Sequence, residues 1–198
     1  MSAEAAATFV KVKVGEMIPS IGLRASDGYL LNLRSFIGKQ SVAYLFFAAP
    51  TAEGAQRRRG TRLAEAFAAA HHRLQEAGIT VIGVSCDAQE QQAAWIEEHR
   101  IPYLLFSDER RAAMELLGIP VSEDAGNFNV ARPLAIIVSR EGRIVTILEE
   151  PDPEFAADIV LAAVRRAAEG GEALWHEHPE ESSETDLPDG ADSSQPLS

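Results

Sequence analysis

Apolar residues alternate with lysine over residues 9–14 (FVKVKV), the two-residue period of a strand with one wet face. Gly15 and Pro19 interrupt that pattern. Ile21, Leu23 and Ala25 then alternate into Ser26-Asp27-Gly28, a turn signal in which glycine supplies positive φ. Residues 29–33 resume as a strand, so the pattern predicts a short N-terminal hairpin. Residues 34–39 read as one helical turn closed by Gly38. Two near-continuous apolar runs, 41–47 (SVAYLFF) and 79–85 (ITVIGVS), have the character of strands covered on both faces. Between them Leu63, Phe67, Ala70 and Leu74 recur at helical spacing, which predicts a helix over 60–77 stopped by Gly78.

The same reading gives a helix over 88–99 with Trp95 and Ile96 on its apolar side, and a short strand over 103–106. A helix follows over 110–117, capped by Asp108 and ended by Gly118. Residues 134–138 form a third apolar strand, turned by Arg140-Glu141-Gly142-Arg143 into a strand over 144–148, and 153–168 form the last helix. Strands alternating with helices, followed by an antiparallel pair, predict an α/β three-layer sandwich with a central mixed sheet flanked by helices. Residues 1–8 read as a frayed start and 9–170 as one domain. From 171 to 198 Pro, Ser, Asp, Glu and Gly dominate and periodicity vanishes, the composition of a disordered acidic tail.

Charge sharpens this division. The formal net charge is −12, but eight acidic residues and no basic one follow Gly171, which leaves about −4 for the domain. That balance disfavours nucleic acid and anionic membrane as partners. No apolar run approaches the ~20 residues of a bilayer span. The first residues also lack a basic segment followed by an apolar one, so the expectation is a cytoplasmic protein.

Cys86 is the single cysteine, which excludes an intrachain disulfide, a multi-thiolate metal site and a cycle using two thiols of one chain. His71, His72 and His99 have no metal-ligand spacing, and His176-Glu177-His178 sits in the acidic tail, so no metal and no cofactor are expected. Glu97-Glu98 and Glu149-Glu150 are adjacent pairs that do not converge into an acid/base dyad.

Three stretches carry a family resemblance. Residues 14–47 (VGEMIPSIGLRASDGYLLNLRSFIGKQSVAYLFF) resemble the opening of peroxiredoxins, the alkyl hydroperoxide reductase and thiol-specific antioxidant group of the thioredoxin superfamily. Residues 77–119 (AGITVIGVSCDAQEQQAAWIEEHRIPYLLFSDERRAAMELLGI) are similar to the bacterioferritin-comigratory type. Residues 132–145 (RPLAIIVSREGRIV) look like the strand, turn and strand that follow. The resemblance implies a thioredoxin-like fold and a site at the junction after residues 41–47. There the family carries P-x-x-x-T-x-x-C, with the attacking thiolate at a helix N-terminus that lowers its pKa. Counting back from Gly78 places that cysteine position on Gly60, followed by Thr61; counting from the strand end places it on Ala55. The companion proline and threonine positions fall on Glu53 and Arg57, or on Ala48 and Ala52. The peroxide-attacking set is therefore absent from this sequence.

What stands at the junction is basic. Arg57, Arg58, Arg59 and Arg62 form the densest cationic patch, either a solvated helical turn or a surface for a phosphate, a carboxylate or an acidic protein face. Cys86 reads as a small buried hydrophobe or as a substitute redox thiol, with Asp87 raising its pKa. Arg132 and Pro133 lie where the superfamily has an arginine over the active site or a cis-proline. Pro133 is expected to fix the entry of the strand, and Arg132 is a candidate anion ligand. Three functions follow: a catalytically degenerate redoxin acting through a protein partner, an oxidoreductase using Cys86 in an intermolecular cycle, or an anion-binding module at the vestigial site. A homodimer is left open.

Overall fold

The computed structural model describes residues 10–48 and 53–170. The frayed start (1–8) and the acidic tail (171–198) expected from the sequence lie outside those residues. Among the described residues nine strands and five helices follow in chain order: β1 Gly22–Ala25, β2 Leu30–Asn32, β3 Ser41–Phe46, α1 Ala55–Ala69, α2 His71–Glu76, β4 Ile79–Ser85, α3 Gln89–His99, β5 Leu105–Ser107, α4 Ala112–Leu117, β6 Val121–Asp124, β7 Asn127–Ala131, β8 Leu134–Val138, β9 Ile144–Glu149 and α5 Pro153–Ala168. Seven strands make one mixed sheet in the order β2-β1-β5-β4-β3-β8-β9, and β6 and β7 form a separate two-stranded sheet. At its centre β3, β4 and β5 run parallel, with β8 antiparallel to β3 and β9 antiparallel to β8.

The period-2 geometry of β3 explains the three layers. Val42, Tyr44 and Phe46 point into one core with Met114 and Leu117 of α4 and with Ile18 and Leu33 of the N-terminal segment. Ala43 and Leu45, with Phe47 just beyond the strand, point into the other core, against Leu63 and Phe67 of α1, Trp95 of α3 and Val160 of α5. Every residue of β3 is buried, as a strand covered on both faces requires. Burial demands a partner for polar atoms, and the Tyr44 hydroxyl donates to Leu33 O at 2.5 Å while Tyr103 donates to Ala64 O at 2.8 Å.

Two expectations are corrected and one further element is present. Residues 10–14 are not a strand, although Val12 is buried and Lys11 and Lys13 are exposed as the alternation implied. Their backbone instead docks at separate points, Lys11 N on Leu117 O at 2.9 Å and, beyond the segment, Gly15 N on Ile144 O at 2.8 Å. The helix expected over 60–77 starts at Ala55 and is divided at Ala70 into α1 and α2. Its first turn is largely solvent-facing and so gives no apolar signal. The β6–β7 hairpin was not anticipated. Its turn, Ala125-Gly126, takes positive φ at both positions (49° and 79°), the geometry of a tight hairpin turn in which alanine is an unusual first residue.

Candidate functional site

Helix α1 enters from Gly54, whose φ of 107° is open to glycine and strained for other residues. No side chain of the helix's own first turn caps it and none there is acidic. The cap comes from elsewhere: Asp124 of β6 accepts from Gln56 N at 2.5 Å. A Cβ on Gly54 would lie 2.5 Å from the Asp124 carboxyl carbon, so glycine here also makes room for that carboxylate. A negative charge on the exposed N–H groups and positive dipole end of a helix is favourable.

Of the two candidate positions for the missing cysteine, Ala55 is the first residue of α1. Gly60 is buried in the second turn, where an added Cβ would approach Phe47 Cβ to 2.8 Å. Thr61 lies beside it on the partly exposed side.

The arginine cluster divides. Arg59 pairs with Glu150 at 3.2 Å. Among the described residues no ion pair engages Arg57, Arg58 or Arg62, and these three border a surface recess with Gly54, Thr61, His99 and the acidic Glu53 and Glu98. Arg132 is not turned to a free pocket. Its Nε donates to Glu150 Oε1 at 3.2 Å and its Nη2 to Oε2 at 2.5 Å, a bidentate fork. The hydrogen bond from Arg132 holds the Glu150 carboxyl below its usual range, against a smaller opposing effect of burial. The two acidic neighbours Glu149 and Glu150 do not form a dyad, but Glu150 gathers two arginines. No cis peptide occurs among the described residues, so the Arg132–Pro133 bond is trans, and Pro133 is buried at the entry of β8.

Cys86 follows β4 directly and is half-buried. Its Sγ lies 3.4 Å from Met114 Sδ, and it borders a cavity of about 270 Å³ lined by Phe47, Asp87, Gln91, Arg111 and residues 127–131. Burial pushes the thiol up to about 11; the Arg111 guanidinium pulls the other way, and Asp108 and Asp87 add to the rise. No residue beside Cys86 in sequence is basic, and the fold brings Arg111 to it from 25 positions away. Arg111 stands in the left-handed region (φ 57°) ahead of α4 and donates to Asn129 O, also left-handed, at 2.6 Å. Asp108 acts as the expected cap, accepting from Ala113 N at 3.2 Å and Met114 N at 2.9 Å. Among the described residues no group of three or more His, Cys, Asp and Glu is placed to hold a metal ion.

Arg111, Asp124, Glu150 and Asn129 are the site residues the sequence reading missed. The turn preference of Gly126 was the one local signal, and the rest are long-range encounters.

A parallel β3-β4-β5 centre, an antiparallel β8-β9 margin and a helix following β3 define a thioredoxin-like, peroxiredoxin-type fold. The chain belongs to the AhpC/TSA family, whose model matches residues 14–147. It is 34% identical over 112 residues to the chloroplastic peroxiredoxin Q of Populus jackii, covering 57% of this chain and 50% of that protein. With peroxiredoxin Bcp of Bacillus subtilis it shares 26% over 137 residues, 68% of this chain and 83% of the other. The chain thus spans about half the length of several curated relatives it matches. Among solved structures, peroxidoxin BcpB of Mycobacterium tuberculosis superimposes with a TM-score of 0.66 at 20% identity, over 77% of this chain and 96% of that one. Xanthomonas campestris peroxiredoxin Q gives 0.63 at 22%, over 75% and 91%.

Proposed function

We propose that this protein is a catalytically degenerate member of its family that acts by binding a protein partner. The observation that carries this reading is the Asp124 carboxylate on Gln56 N at 2.5 Å. At the helix start, where the family resemblance calls for a thiolate, the chain supplies a carboxylate from a distant strand and Ala55 in the first turn. Two further features support it. The Arg132 guanidinium, which would orient an anionic ligand, is forked onto Glu150. The one thiol, Cys86, has a pKa near 11, which leaves roughly one molecule in ten thousand as thiolate at neutral pH. Arg57, Arg58 and Arg62, which have no ion pair among the described residues, form the contact surface, and an acidic protein face is the chemistry they fit.

Two measurements test the proposal. Hydrogen peroxide consumption with excess thiol reductant is expected to match a no-enzyme control. Recovery of a partner from the protein's own cells is expected to depend on the arginines and to be lost on reversing Arg57, Arg58 and Arg62 to glutamate. Peroxide turnover well above the control and abolished by Cys86→Ala would replace this reading with an intermolecular thiol cycle. The Arg111 guanidinium beside the Cys86 cavity is the observation that keeps that second reading in view.

A further inference from the structure

The β6–β7 hairpin shares no ladder with the seven-stranded sheet. Two polar contacts tie it to the rest of the protein, Asp124 to Gln56 N at 2.5 Å and Asn129 O to Arg111 Nη1 at 2.6 Å, while Arg132 N on Pro120 O at 2.8 Å closes the hairpin's own base. Its apolar anchorage is one-sided. Val130 and Ala131 are buried, whereas Asn127 and Asn129 are exposed and Phe128 is 73% exposed. The whole of β7 forms one wall of the cavity that Cys86 borders. A segment held by a few polar ties and little buried apolar surface opens at low free energy, well below that of global unfolding.

We infer that the β6–β7 hairpin is a strap over the Cys86 thiol, latched by Asp124 on the N-terminus of α1. The latch is built from both sides, since the carboxylate seats on Gln56 N and Gly54 lacks the side chain that would collide with it. Releasing Asp124 frees the outer end of the hairpin, leaving Arg111 and the base as its remaining ties. The wall over Cys86 then swings away, water reaches the sulfur, and the desolvation that keeps the thiol protonated is relieved. The strap therefore sets when Cys86 is open to a reagent or a partner. It does not depend on the protein being a degenerate enzyme, because it concerns access to the thiol whatever the thiol does.

The test uses the full chain. The rate of Cys86 alkylation by iodoacetamide at one mildly alkaline pH is measured in the wild type, Asp124→Ala, Asp124→Asn and, as a control on the same strand, Glu123→Ala. Amide exchange over residues 121–131 is followed in parallel. Asp124→Ala is expected to speed alkylation about tenfold, the factor that corresponds to losing one helix-capping interaction. Asp124→Asn, which keeps an acceptor, speeds it less, and Glu123→Ala leaves it unchanged. Exchange of 121–131 rises in the two Asp124 variants while exchange in β3 and β4 does not. Should Asp124→Ala fail to fold, Asp124→Asn carries the same comparison. The inference is overturned if hairpin exchange rises without faster alkylation, if neither moves, or if Glu123→Ala accelerates alkylation as much as Asp124→Asn.

Discussion

Arg132 and Glu150 stand at the same end of the β8–β9 ladder, one just before β8 and the other just after β9, and close on each other as a guanidinium fork on a carboxylate at 3.2 and 2.5 Å. The sheet register brings the two within reach. Leu134 pairs with Glu149, and Glu150 N bonds Pro133 O at 2.8 Å, so Glu150 lies opposite Pro133, one position from Arg132, whose long side chain spans the offset. Arg59 of α1 adds a second cation to the same carboxylate.

Glu150→Gln is therefore expected to destabilise the fold modestly, by about 1 kcal/mol, because the pair is partly exposed and screened by solvent. The carboxyl is held below its unfolded value, so its contribution is present above the unfolded carboxylate pKa of about 4.3 and is lost as pH falls through the lower folded value. Melting temperatures of wild type and variant should differ at neutral pH and converge in strong acid. A gap that stays constant into that range would show that the ion pair contributes nothing through its charge.

The Cys86 thiol titrates near 11, above the ordinary thiol value of about 8.5, so alkylation of the native protein should climb through the alkaline range instead of levelling off near pH 9. Because the folded pKa is the higher one, the stability this group contributes is complete below the unfolded value and is lost between there and about 11. Arg111→Gln removes the one cation that opposes the shift and should move the alkylation midpoint further up. A midpoint below the free-thiol value would contradict the assignment of burial as the dominant cause.

Gly60→Ala places a methyl in the second turn of α1 against Phe47, with its carbon 2.8 Å from Phe47 Cβ. Alanine would add about 1 kcal/mol of helix propensity on an open face. Overpacking costs about 1–3 kcal/mol, so net destabilisation is expected in urea unfolding. A variant more stable than wild type would mean that α1 shifts away from the sheet without penalty.

Asp108 caps α4 through two backbone N–H groups, and Asp108→Ala should cost about 1–2 kcal/mol. Since α4 carries Met114 and begins directly after Arg111, both of which stand beside Cys86, the same variant should also speed alkylation of the thiol. Loss of stability with an unchanged alkylation rate would separate the cap from the cavity.

The sequence by itself determined the layered core. Residues 41–47, 79–85 and 134–138 announce strands covered on both faces, and Leu63, Phe67 and Leu74 announce a helix packed on them. Periodic burial is a local property that each segment carries in its own residues. The same holds for the β1–β2 hairpin, whose Asp27-Gly28 turn is written in adjacent positions, and for the Asp108 cap. Tertiary structure decided the chemistry at the site. The start of α1 is set by Asp124, 68 positions from the Gln56 N–H it accepts, and the environment of Cys86 by Arg111 and the β6–β7 wall. Arg132 read as a candidate anion ligand until sheet register put Glu150 against it. A charge or a cap of this kind is defined by which segments meet. Nothing in the residues on either side of Gly54, Cys86 or Arg132 encodes that meeting.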